Sequence, residues 1–266
     1  MINRAEFEQQ AKGLGASISW SEAQQYYAQR QEFHNKQLRP FMDELAKKAE
    51  DYDAIGFLDR DARPFWHASD HSPALAAKPR YLLGVSRDVI PAEFRGNYGW
   101  RIRESDYDTF ARKTRAVFDG IRAGTGKRKA EEIYKYIQGT GLLAHKHILL
   151  VDTAYTGCDM AFVKHLIESR HPDKTVDIYL HTTVVRSVVP AFKHVEKEHP
   201  ELQFEFGPQS HITGPVKGYE MSGGKVVPVY GPPETPEHVP EHKLKYWIDQ
   251  RVIEDVMTQP TAKTSS

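Results

Sequence analysis

The stretch His147 to Arg170, HILLVDTAYTGCDMAFVKHLIESR, constrains the fold more than any other, because it reads as strand, short loop and helix. The run Ile148 to Val151 is wholly apolar, which suits a strand buried on both faces. Asp152 ends that run, and Thr153, Ala154, Tyr155, Thr156 and Gly157 form a short connection. Ala161, Phe162, His165, Leu166 and Ile167 then recur at helical spacing. In an open α/β sheet a ligand binds at the carboxyl ends of the strands. A helix that starts there offers unpaired backbone N–H groups and a positive dipole end to an anion. Thr156 and Gly157 mark where such an anion would sit.

The rest of the chain supplies further units of the same kind. Tyr26, Phe33, Leu38, Phe41, Met42, Leu45 and Ala46 fall near helical spacing, with Ser19 or Ser21 as a cap, so residues 1–50 are expected to form a helical layer. Asp53 to Leu58 is a first strand, followed by the charged break Asp59 to Arg63 that Pro64 ends. Tyr81 to Val85 is a second strand, with Ser86, Arg87 and Asp88 at its end. Residues 114–121 and 127–137 read as helices, Val176 to Val185 and Leu202 to Phe206 as strands. Met221 to Val227 reads as a hairpin turning on Gly223-Gly224. Lys243 to Met257 is a closing helix, and residues 258–266 are expected to be a disordered tail. Strands alternating with helices predict an α/β fold with a mostly parallel sheet over residues 51–257, capped by a small C-terminal hood.

Composition bounds the function. Thirty-six basic and 36 acidic residues cancel, so no global charge points to nucleic acid or a membrane surface. One cysteine, Cys158, excludes an intramolecular disulfide, which fits a reducing compartment. No apolar run approaches the roughly 18 residues of a membrane span, and a cytoplasmic location is expected. The 13 histidines form no convincing metal set, and His181 and His211 read as structural residues near the site. Gly124-Thr125-Gly126-Lys127 hints at a phosphate loop, but Ile121 and Arg128 stand where that motif needs Gly and Ser or Thr.

The three polar strand ends can line one anionic site. Arg60 and Arg63, Arg87, and the loop from Asp152 to Gly157 would hold two separated phosphate groups, because guanidinium forks match phosphate oxygens. Here a resemblance enters. Leu149 to Gly157, LLVDTAYTG, is similar to the phosphoribosyl-pyrophosphate (PRPP) loop of type I phosphoribosyltransferases. FLDRDARP at Phe57 to Pro64, YLLGVSR at Tyr81 to Arg87 and VDTAYTGC at Val151 to Cys158 resemble three motifs of the PRPP-binding domain in bacterial polysaccharide ribofuranosyltransferases. The resemblance covers Ala54 to Cys158, with a weaker echo near Gly218-Tyr219-Glu220. It implies a PRPP-binding fold and transfer of ribose 5-phosphate from PRPP to an acceptor, with release of pyrophosphate.

Carried over residue by residue, it implies pyrophosphate contact by Arg60, Asp61 and Arg63, with support from Ser86 and Arg87. Asp152 would face the ribose, Thr153 and Ala154 would line the loop, and Tyr155, Thr156, Gly157 and Cys158 would hold the 5-phosphate. Asp61 is the candidate general base and Mg²⁺ ligand, and Arg101 and Arg103 are candidate lid residues. The implied partners are PRPP with Mg²⁺, a glycan acceptor, a separate phosphatase to remove the 5-phosphate, and a second copy in a homodimer. Val151, Ala62, Ala154 and Cys158 depart from the family pattern, and Asp159 adds a negative charge beside the loop.

Two other readings stay open on the same residues. A haloacid-dehalogenase-type phosphatase would use Asp59 and Asp61 as nucleophile and acid-base, Ser86, and Asp152 with Asp159 around Mg²⁺; Arg63 and Ala62 depart from its pattern. A non-catalytic sugar-phosphate or nucleotide binder would keep the loop without the chemistry. Cys158 could also be a nucleophile at a helix start, although its place in the motif favours a role in the loop.

Overall fold

The computed structural model describes residues 2–59, 62–95, 112, 115–121, 124, 126–153, 157–182, 194–197, 212–233 and 236–259. Three helices lead the chain: α1 (Arg4–Leu14), α2 (Trp20–Lys36) and α3 (Leu38–Lys48). Ser19 starts α2 with a reciprocal capping box, its side chain accepting from the Glu22 N–H while the Glu22 carboxylate accepts from the Ser19 N–H. Strands β1 (Ala54–Leu58), β2 (Arg80–Leu83), β3 (His147–Thr153), β4 (Thr175–Thr182) and β5 (His194–Lys197) follow. Between them come α4 (Arg63–Asp70), the one-turn α5 (Pro73–Ala76), α6 (Lys127–Thr140) and α7 (Cys158–Glu168), and residues 115–121 are also helical. A hairpin of β6 (Val216–Ser222) and β7 (Lys225–Tyr230) and the closing helix α8 (Val239–Thr258) complete the described chain.

The five strands are all parallel, in the order β2-β1-β3-β4-β5. This is an α/β protein with a doubly wound sheet. The register explains the continuous apolar runs. Ile55, Phe57, Leu149, Val151 and Tyr179 face a core shared with α3 and α4, while Ala54, Leu58, Ile148, Leu150, Ile178 and Leu180 face one shared with α6 and α7. From Ala54 to Leu58 and from Ile148 to Val151 every residue is buried, so no polar alternation survives in these two central strands. The rings of Phe41, Phe65 and Tyr179 bind the first layer, with Phe41 stacked at 4.3 Å on Phe65 and 4.8 Å on Tyr179.

Of the N-terminal helices, α3 rests directly on the sheet, while α1 and α2 pack against the closing helix α8. Leu244, Ile248, Val252 and Val256 of α8 pack with Phe7, Ala23 and Tyr27. The expected hairpin and closing helix are both present, α8 starting at Val239 rather than Lys243. The strand expected at Leu202 to Phe206, His211 and the tail from residue 260 lie outside the described residues.

The second strand ends at Leu83, not at Val85. Gly84 has its backbone diverted to side chains: its N–H donates to the Tyr136 hydroxyl at 2.7 Å and its carbonyl accepts from the Tyr219 hydroxyl at 3.0 Å. A Cβ on Gly84 would lie 2.7 and 2.9 Å from ring carbons of Pro228, which is why glycine stands there. Gly84→Ala is expected to push the hairpin off the sheet, at an overpacking cost of about 1–3 kcal/mol. Urea unfolding would read that loss, and a change below about 0.5 kcal/mol would mean the hairpin is not seated on this residue.

Candidate functional site

A doubly wound sheet places its ligand crevice where the strand order reverses, here between the carboxyl ends of β1 and β3. The three polar strand ends foreseen in the sequence belong to adjacent strands around that point. Asp59 follows β1, Asp152 lies at the end of β3, and Ser86 with Arg87 follows β2. Pairing of Phe57 with Val151 sets β1 and β3 level, which brings Asp59 and Asp152 to neighbouring strand tips. Both are largely buried, at 9% and 6% exposure, as carboxylates rarely are without partners.

The partners of Asp59 are plain. Arg63, four residues on, grips it with a two-pronged pair: Nε donates to Oδ1 and Nη2 to Oδ2, each at 2.7 Å. The Tyr230 hydroxyl, from the last residue of β7, donates to Oδ2 as well. Arg63 was expected in a loop, reaching for pyrophosphate. It instead opens α4, where Pro64 fits the first turn because no intrahelical N–H is lost there. Tyr246 of α8 lies beside the guanidinium. Behind it His67 meets the Tyr246 hydroxyl at 2.6 Å and the Gln250 amide at 3.0 Å. Burial, followed by the nearby Arg63 charge, holds His67 below the ordinary histidine range.

Ser86 also has a different task from the one foreseen. Its hydroxyl donates to the Val216 carbonyl at 3.0 Å, so it fastens the base of the hairpin. Arg87 is exposed, and together with Arg95 it bears on the start of α7, where both act on the Cys158 thiol. Asp152 accepts from the Thr153 N–H at 2.8 Å. Gly157 caps α7 in the left-handed region at φ 62°, a conformation that glycine adopts freely. Asp159 stands in the first turn of α7, where the helix dipole favours a carboxylate.

Cys158 is buried, and burial with the neighbouring Asp159 pushes its thiol well up, so it is a packed thiol rather than a thiolate nucleophile. Arg60, Asp61, Ala154, Tyr155, Thr156, Arg101 and Arg103 lie outside the described residues. The side chain of His181 does as well. Among the described residues no group of three His, Cys, Asp or Glu side chains could hold a metal ion, and no helix is long and apolar enough to cross a membrane.

Sequence reading missed the tyrosines. Tyr136, Tyr219 and Tyr230 come from α6, β6 and β7 and converge on the ends of β1 and β2, with Tyr136 and Tyr219 stacked at 5.0 Å. Burial raises all three phenols, and Tyr230 is raised further by Asp59, so each stays a neutral hydrogen-bonding group. Tyr219 lies in the weak echo at Gly218-Tyr219-Glu220, whereas Tyr136 on α6 and Tyr230 at the end of β7 belong to no motif. The hairpin thus joins the carboxyl ends of β1 and β2 through hydroxyl groups.

No protein-family model matches this chain, and no curated protein matches it either.

Proposed function

We propose that this protein binds a sugar diphosphate of the PRPP class in the crevice between β1 and β3 and transfers its ribose 5-phosphate to an acceptor. What supports this reading is that the Asp59–Arg63 pair, Asp152 and the Gly157 start of α7 follow the carboxyl ends of β1 and β3, with Arg87 after the neighbouring β2. Such a crevice offers separate features for the two ends of the ligand. The start of α7 presents backbone N–H groups to a terminal phosphate. Arg63, with Arg60 three positions before it in the sequence, suits the pyrophosphate.

Transfer at the anomeric carbon builds positive charge on the ribose and negative charge on the departing pyrophosphate. Asp152, which follows the Phe57–Val151 pair at the end of β1, is the carboxylate this reading assigns to stabilise the first. Guanidinium groups stabilise the second. Mg²⁺ would arrive on the diphosphate, since that ion keeps much of its water and binds through substrate phosphates with one or two carboxylates. A glycan acceptor is the class suggested by the motif resemblance.

Thermal unfolding with Mg²⁺ and PRPP tests the reading. A ligand at about 100 times its dissociation constant should stabilise the fold by roughly 2.7 kcal/mol. The expected result is a shift specific to PRPP over ribose 5-phosphate and pyrophosphate, and reduced in Asp152→Asn. No shift, together with Mg²⁺-dependent hydrolysis of a phosphate ester lost in Asp59→Asn, would transfer the assignment to a phosphatase.

A further inference from the structure

We propose that Arg63 is an exchangeable cation: it pairs with Asp59 in the free protein and passes to the doubly charged phosphoryl group of an incoming ligand. This rests on the crevice being an anion site, as argued above, and adds how that site is kept ready and what it selects. The geometry suits a transfer. Asp59 is nearly enclosed, its side chain 5% exposed, whereas the Arg63 side chain is 26% exposed and faces the crevice end of α4. The guanidinium is therefore the member of the pair that a ligand can reach.

A buried carboxylate that loses this counter-charge would be strongly unfavourable without other donors. A second donor on Asp59 eases that loss. When Arg63 leaves, the Tyr230 hydroxyl still donates to Oδ2, so the carboxylate is not left bare. Asp59 then acts as a competitor built into the site. A singly charged carboxylate ligand offers Arg63 no more than Asp59 already does, while a phosphoryl dianion offers greater charge and an equal two-pronged fit. The pair thus selects phosphoryl groups over carboxylates. Arg63 is a binding residue in this scheme and Tyr230 a positioning residue.

The test uses the full chain with inorganic pyrophosphate and Mg²⁺ as the probe, so its outcome is separate from that of the PRPP shift. Calorimetric affinity is compared between the native protein, Asp59→Asn and Arg63→Gln, each checked for native circular dichroism. Removing the competitor should tighten pyrophosphate binding about tenfold, and removing Arg63 should weaken it by at least about tenfold. A looser Asp59→Asn complex would overturn the exchange. If that variant fails to fold, the native protein alone decides: the ¹⁵Nε–H resonance of Arg63, assigned through Arg63→Gln, should move when pyrophosphate saturates the site. An unmoved resonance in the presence of bound pyrophosphate, or no pyrophosphate binding at millimolar concentration, would overturn the proposal even where PRPP binds.

Discussion

Asp249→Ala is expected to cost about 3–5 kcal/mol of folding stability, the range found when one partner of a buried ion pair is removed. Asp249 lies on α8 at 1% exposure, facing α2. The Arg30 Nε donates to its Oδ1 at 2.5 Å, and His34 Nε2 sits 2.8 Å from the same oxygen. Arg30 itself lies over the Phe33 ring at 4.6 Å, so its charge has little water to return to. His34 is fully enclosed, and burial holds it below the usual histidine range despite the carboxylate beside it. Alanine at 249 would strand the Arg30 charge between two helices.

The triad joins the N-terminal layer to the closing helix, and its loss should show in urea unfolding as a lower midpoint with an unchanged slope. A triple replacement, Arg30→Met with His34→Leu and Asp249→Leu, should recover most of the loss, because well-packed apolar groups can substitute for a buried ionic cluster. A single-variant loss under about 1 kcal/mol would show that water reaches the cluster.

The second large effect is acid destabilisation that begins near neutral pH. His165 of α7 packs beside Phe118, at 6.0 Å between rings, and burial pulls it down to about 4, with Lys164 and Arg115 adding to the fall. The unfolded chain titrates this residue near 6.5. Below that value the unfolded state takes up a proton that the folded state refuses, so stability is complete above pH ~6.5 and falls as pH drops toward 4. The slope approaches about 1.4 kcal/mol per unit, for a total of about 3 kcal/mol. His67 and His34 are lowered too and act in the same direction. His165→Gln, which cannot charge, should flatten the dependence between pH 6.5 and 4. Parallel curves for the two proteins would remove His165 as the cause.

The apolar runs at Ile55 to Leu58 and Ile148 to Val151 made the buried parallel strands legible, because a strand covered on both faces leaves a continuous signature in the chain. The start of α7 was legible for a similar reason. A strand, a glycine and an amphipathic helix must follow one another locally, and Gly157 records a backbone angle. The capping box at Ser19 was equally local.

What could not be read was partnership across long separations. Arg63 looked like a free phosphate ligand, and only the start of α4 turns it back onto Asp59. Ser86 looked like a site residue, and only the hairpin, 130 positions further on, claims its hydroxyl. Tyr230 and Asp249 carried no motif at all, yet one reaches Asp59 from 171 residues away and the other neutralises Arg30 from 219. The sequence by itself determined most of the elements and the parallel sheet, since these follow from hydrophobic period and turn chemistry within a few residues. Which charges are paired, and which remain reachable by a ligand, was decided by tertiary structure, because burial and counter-charge exist only after distant segments pack.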